Sequence, residues 1–266
     1  MTESRSVRVF LRIASGVVLA FLYTPLIILT IYAFNPSRIM AWPPTGFTFQ
    51  WFFEAAANPT VIQAIVNSLI VATVATALAL VLGTLASLAV QRHSFFGQNT
   101  ISFLLVIPIA LPGVVTGLAL RTSFITFGID FGLFTIIVGH ATFCVVIAYN
   151  NVIARLRRLP RTPEEASADL GADAFSTFRR ITMPGMGTAL VSGALLAFAL
   201  SFDEIIVTNF TAGAGTQTLP MWILSAIQRP LELPVANVVA LILILISVIP
   251  VYLATRISSG VAGART

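Results

Sequence analysis

Long apolar runs separated by short polar stretches dominate this chain. The first covers Gly16–Phe34, behind Arg5, Arg8 and Arg12. Polar and aromatic residues follow over Asn35–Pro59, with Pro36, Pro43, Pro44 and Gly46 marking a loop. Further runs cover about Val61–Val90, Thr100–Leu120, Leu133–Ala154, Gly187–Phe210 and Val235–Thr255. Each is long enough for the ~20 residues that cross a hydrocarbon core about 30 Å thick, so the pattern predicts six transmembrane helices. A cleaved signal peptide does not fit the first run, which exceeds an apolar core of roughly 7–15 residues and is followed by no small-x-small site. The third run carries Pro108, Pro112, Gly113 and Gly117, residues that could mark a broken helix lining a pathway. The fifth is packed with Gly, Ala and Ser, which let membrane helices approach closely.

Composition agrees. Of 266 residues 57% are hydrophobic and 9% charged, far below the roughly one-quarter charged residues of a soluble domain. The mean hydropathy is +0.95. Most of this surface must face lipid.

All fifteen basic residues are arginine. Without lysine the chain holds no P-loop and no lysine Schiff base. The single cysteine, Cys144, excludes an intrachain disulfide or a thiolate cluster, and His93 and His140 stand too far apart to suggest a metal site. Alternating six spans places Arg5, Arg8, Arg12, Arg92, Arg155, Arg157, Arg158, Arg161, Arg179, Arg180, Arg256 and Arg265 on one side. Only Arg38, Arg121 and Arg229 fall on the other. Twelve against three predicts that both termini are cytoplasmic. The net charge of +5 is therefore a topology signal, with no nucleic acid implied.

The one long polar insertion, between the fourth and fifth spans, runs from Arg155 to Pro184. Thr162, Pro163 and Glu165 fit an N-cap, a first helical position and a capping-box glutamate. Glu165, Asp169 and Asp173 would form an acidic stripe, with Ala166, Leu170 and Ala174 an apolar stripe beside it. Gly171 allows a bend between two short helices, and Pro184 is expected to stop the second. Such a capped, amphipathic pair serves either as a stiff surface loop or as a docking element for a soluble partner.

The stretch Glu165-Ala166-Ser167…Gly171…Ile181-Thr182-Met183-Pro184 resembles the EAA signature of type I ABC importer permeases. Ser167 stands where the signature has alanine, and Met183 where it has leucine. The resemblance covers roughly Val61–Arg256, with the first span as an additional N-terminal helix. It implies an all-α integral membrane protein with the type I ABC importer transmembrane domain. Residues 1–60 then hold a cytoplasmic tail, the first helix and an external loop. Residues 61–256 form the five-helix domain with its coupling loop at 155–186, and 257–266 a cytoplasmic tail. It further implies that Glu165, Ala166, Gly171, Ala172, Asp173, Phe175, Phe178 and Arg179 meet an ATPase subunit. That separate chain holds the ATP and magnesium, so this subunit is not an enzyme and carries no cofactor or metal. Implied partners are a second permease, two ATP-binding subunits and an extracytoplasmic substrate-binding protein, assembled in the cell membrane.

The phrase Ser201-Phe202-Asp203-Glu204-Ile205-Ile206-Val207-Thr208, followed by Thr-Leu-Pro and Leu-Pro-Val-Ala-Asn, resembles the spermidine/putrescine branch. Two carboxylates at the end of an apolar helix are costly. They form either a water-facing interfacial pair or a cation site, with Asp203 expected to line the route more than Glu204. Phe202, Tyr149 and Trp222 are candidate aromatic contacts for a polycation, against the alternative of an interfacial belt. Importers of ferric iron, thiamine or sulfate share the scaffold. A stand-alone channel or secondary transporter is the rival of another class, but the chain has no Thr-Val-Gly-Tyr-Gly filter. Asn35-Pro36-Ser37 and Asn58-Pro59-Thr60 flank one loop as turn initiators rather than heading two half-helices. An intramembrane enzyme pairing His140 with Ser192 lacks any Gly-x-Ser-Gly elbow.

Overall fold

The computed structural model describes residues 5–40 and 42–263, with side chains described as far as Arg256. Arg265 and the end of the expected cytoplasmic tail lie outside them. Helix is the only regular structure among the described residues. Five helices are long and apolar enough to cross a membrane, and one bent pair makes a sixth.

The chain forms two units, Met1–Ile62 with Trp222–Ile244, and Gln63–Met221 with Leu245–Thr266. In the first, helix α1 (Arg5–Ala33) leads into a loop and the short α2 (Gln50–Ala57). That loop, expected to be merely polar and aromatic, is an ordered cluster. Phe34 stacks on Phe47 at 4.8 Å, and Phe49 and Phe52 pack against the Phe34 ring. The side-chain oxygen of buried Asn35 accepts from Thr45, and its carbonyl accepts from the Trp51 indole at 2.8 Å. Helix α3 (Pro59–Arg92) begins in this unit and continues into the other.

The second unit is built around α6 (Leu133–Leu156), the most buried of the candidate spans. Gly83 of α3 faces it so closely that a Cβ there would lie 2.8 Å from the Ala148 side chain. This is the close approach that small residues permit between membrane helices. Ala79, Phe143, Cys144, Ala148, Ala197 and Val207 form a buried cluster across the unit.

Two spans are broken, the third where its prolines suggested a break and the fifth where nothing in the sequence marked one. The third is two helices, α4 (Gln98–Ala110) and α5 (Gly113–Thr126), bent by 105°. Leu111 between them is extended, as the residue before a proline prefers, and Pro112 has no N–H to offer the Pro108 carbonyl. In the loop that follows α6, α7 (Thr162–Asp169) and α8 (Ala174–Thr177) precede a π turn at Phe178–Thr182, which runs directly into α9 (Met183–Phe202). Pro184 therefore does not stop a helix: helical backbone runs unbroken from Ala174 to Phe202, and the π turn widens it just ahead of the proline ring. The fifth span ends at Phe202, not Phe210, and the short α10 (Ile206–Thr211) follows a break. Two further helices complete the chain. They are α11 (Leu219–Ile227), apolar but too short to span, and α12 (Leu233–Gly263), which continues the sixth span beyond Thr255.

Candidate functional site

The polar loop is held to the end of α3 through Arg92 and Arg161 and to the start of α9 through Arg155. Arg92 Nη2 lies 2.9 Å from Glu164 Oε1, and the same oxygen accepts from the Thr182 hydroxyl at 2.9 Å. Arg161 donates to the Gln91 carbonyl, and Arg155 to that of Gly185. The Arg92–Glu164 pair is shielded, its side chains 12% and 21% exposed. Thr162 does not act as the N-cap. Arg161 occupies that position in helical conformation, no side chain caps the helix, and no capping box forms with Glu165. Glu164 instead turns inward to the arginine while Glu165 stays exposed. Sequence reasoning passed over Glu164, because its partner lies 72 positions away and no local pattern announces it.

Gly171 makes the bend that its residue type suggests, with φ +79°. The Ala172 amide donates to the Ser167 carbonyl and the Gly171 amide to that of Ala168, the paired bonds of a Schellman turn. The turn breaks the expected stripes. Asp173 leaves the line of Glu165 and Asp169 and becomes the N-cap of α8, its Oδ1 accepting from the Ser176 amide at 2.9 Å. Hydrogen bonds from the Ser176 side chain and backbone hold the Asp173 carboxyl below its ordinary range. Ser167 and Thr177 hydroxyls meet at 2.9 Å and tie α7 to α8. Ala166, Leu170, Ala172, Ala174, Phe175 and Arg179 are exposed, Leu170 by 89%, while Phe178 is half-buried. A cavity of about 660 Å³ opens beneath them, its walls including Leu85, Leu88, Phe175 and Phe178.

The acidic pair sits in the break between α9 and α10. The two residues are not successive positions of one helix, as the sequence suggested. Asp203 is the C-terminal cap of α9 and is exposed; Glu204 is half-buried. Glu204 Oε1 accepts the Val207 amide at 2.8 Å and so caps α10. The break is tied to α6 through buried His140, whose Nδ1 lies 2.8 Å from Ser201 Oγ and Nε2 2.8 Å from Thr208 Oγ1. Thr208 donates its only proton to the Glu204 carbonyl, so Nε2 carries the ring proton and Ser201 donates to Nδ1. Both ring nitrogens are thus occupied by hydroxyls other than that of Ser192, so His140 meets Ser201 and Thr208 in place of the expected Ser192. Helix α5 presses on α10 through Gly113 and Gly117, where an added Cβ would lie 3.3 Å from Ile206 and 2.6 Å from the Phe210 ring.

The expected aromatic contacts are buried and engaged within the chain. Phe202 stacks on Phe198, the Tyr149 hydroxyl donates to Ser102, and the Trp222 indole donates to Thr60. Glu204, in contrast, lines a cavity of about 160 Å³ between the two helix breaks, with Pro108, Thr116, Phe143 and Val207 among its walls. Thr116 was not singled out from sequence; a lone threonine in an apolar run carries no signal.

The description that matches this chain is "Binding-protein-dependent transport system inner membrane component", over residues 79–263. The putrescine transport system permease protein PotI of Escherichia coli K12 is 35% identical over 232 residues, covering 84% of this chain and 82% of that protein. The spermidine/putrescine transport system permease protein PotC of Haemophilus influenzae is 34% identical over 253 residues, covering 94% and 97%. Among solved structures, a bacterial ABC transporter involved in alginate import superposes with TM-score 0.71 at 15% identity, over 95% of this chain and 98% of that one. The MetNI methionine ABC transporter gives 0.60 at 17%, over 81% and 99%. These two establish the fold, and the family is one of pore subunits rather than enzymes. This multi-pass membrane chain belongs to the family of binding-protein-dependent transport system inner membrane components.

Proposed function

We propose that the chain is one permease subunit of an ATP-driven importer of polyamines, putrescine or spermidine. The observation that carries this reading is its identity of about one residue in three with polyamine permeases over more than four-fifths of both chains. The loop between α6 and α9 is the docking element for an ATPase subunit, through exposed Glu165, Ala166, Gly171, Ala172, Asp173, Phe175 and Arg179 and half-buried Phe178. ATP and magnesium are handled on that subunit, since this chain has no lysine with which to build a P-loop. A second permease, two such ATPases and an extracytoplasmic binding protein complete the assembly, with both termini of this chain cytoplasmic. The acidic break after α9 belongs to the substrate path.

Reconstitution of the assembled complex in vesicles tests this. ATP-dependent accumulation of labelled putrescine or spermidine, dependent on the binding protein, is the expected outcome. Accumulation of ferric iron, thiamine or another solute with no polyamine uptake would overturn the substrate.

A further inference from the structure

The segment that joins the first two spans is rich in rings and poor in charge. From Phe34 to Asn58 it holds seven aromatic residues and only two charged ones, Arg38 and Glu54. Those two lie 3.6 Å apart, and Arg38 also donates to the Leu231 carbonyl and sits over the Trp51 ring. The segment therefore carries no net charge. Helix α2 is apolar on both faces. Trp51 and Ala55 are buried, whereas Phe49, Phe53, Ala56 and Ala57 are exposed. Phe53 is 74% exposed, Phe47 67% and Phe49 55%. The Phe47 and Phe49 rings meet edge-on at 5.1 Å, and both touch Phe34, the last residue of the first apolar run. Phe53 follows Phe49 by four positions and shares its face of the helix. The three rings form one exposed ridge that continues from the end of the span.

The spans fix the depth of this ridge. At 1.5 Å per residue Gly16–Phe34 covers about 28 Å, the thickness of a hydrocarbon core, so Phe34 marks its edge. Helix α3 enters again at Pro59. Both ends of the segment are thus held at the level of the lipid headgroups, where aromatic side chains collect. A contiguous exposed apolar patch marks a protein or a membrane contact. Charge and composition choose between them. A soluble protein that lands and leaves meets a surface no more apolar than average, which three adjoining phenyl rings on an uncharged segment are not. Polar backbone near lipid needs partners of its own, and here it has them. The Thr48 amide donates to the Phe34 carbonyl at 2.7 Å, and Asn35 Oδ1 accepts from the Ser37 and Thr45 amides.

We infer that α2 and the loop before it form an aromatic shelf seated in the headgroup layer of the bilayer, with Phe47, Phe49 and Phe53 reaching into lipid. Its partner is phospholipid, met through ring burial and not through charge. The Trp51 indole, bonded to the Asn35 carbonyl at 2.8 Å, ties the shelf to the end of α1. The shelf therefore sets how deeply the first span sits, whatever solute the complex carries.

The test places an environment-sensitive dye on Phe49→Cys or Phe53→Cys in the assembled complex, held in phospholipid nanodiscs. Both positions are exposed, so the fold does not depend on them, and the native Cys144 is buried. A nitroxide on the lipid headgroup should quench the dye about threefold more than soluble iodide does, as expected for an interfacial ring. It should also quench more than a nitroxide at the end of the acyl chain, and saturating binding protein should leave the signal unchanged. Stronger quenching by iodide would put the ridge in water, and stronger quenching from the chain end would put it in the hydrocarbon core. Protection by the binding protein would make it a docking surface for that partner. Quenching by neither lipid nor iodide would make it a contact with another subunit. Each of these four results would overturn the shelf.

Discussion

Two adjacent glutamates in the loop between α6 and α9 have different environments. Glu164 reaches Arg92 and Thr182 at 2.9 Å; Glu165 projects outward. A charged hydrogen bond that is largely shielded from water contributes about 1–3 kcal/mol. Arg92→Met should therefore loosen the attachment of the loop without unfolding the spans. Amide hydrogen exchange over 162–182 would rise severalfold while that of α6 stays unchanged; equal protection in the variant would assign the pair no structural role. Glu165→Lys leaves this staple intact, and its effect should appear as lost binding-protein-stimulated ATP hydrolysis in the complex, with normal insertion. Unaltered stimulation would remove Glu165 from the docking set. Local spacing picks out Glu165 in the sequence because a capping box is a local motif. The Arg92–Glu164 pair was illegible because only the folded chain brings the end of α3 to the loop.

Among the elements, the glycines separate turns from packing. Gly171 has positive φ and open space around it, so Gly171→Leu strains the backbone, by about 1–2 kcal/mol, rather than colliding with anything. The Schellman turn should shift and α8 with it, and coupled transport should fail while the complex still assembles. Normal transport by this variant would sink the docking assignment. Gly117 is the reverse case. A methyl there meets the Phe210 ring at 2.6 Å, and Gly117→Ala should destabilise the α5–α10 contact by about 1–3 kcal/mol. Gly187→Ala, in open space on α9, should instead stabilise by up to about 1 kcal/mol. Thermal denaturation of the two variants should move in opposite directions; a common direction contradicts the packing described here. The break in the third span was legible because two prolines and a glycine mark it. The break after Phe202 was not. The residues Asp203-Glu204-Ile205 contain neither proline nor glycine, and the helix is re-started by the carboxylate of Glu204 bonding the Val207 amide.

For the molecule as a whole, apolar run length was enough to count spans, because crossing a bilayer imposes a length on any helix. It was not enough to find α2 or α11, which are too short for that constraint to apply. The arginine asymmetry predicts the sidedness directly. A cysteine at Ser176 should react with an impermeant maleimide only from the cytoplasmic side, and one at Thr45 only from outside. The native Cys144 is fully buried and should add little background. External labelling at position 176 would invert the topology and with it the assignment of the loop as the ATPase-facing element.

The π turn at Phe178–Thr182 gives the chain a spare residue. A π turn accommodates one residue more than an α-helix while keeping the helices on either side in phase, and here it widens the backbone just before the Pro184 ring. Deleting Arg180 alone should bring that ring against a carbonyl and kink the helix. Deleting it together with Pro184→Ala should yield a plain α-helix in which Phe178 and Thr182, now three positions apart, still share a face. Deleting one residue within α9 instead should turn everything before it by about 100°. The length of this helix is therefore adjustable at one place only. Import activity that survives the paired change at 180 and 184, but not a deletion inside α9, is the expected signature.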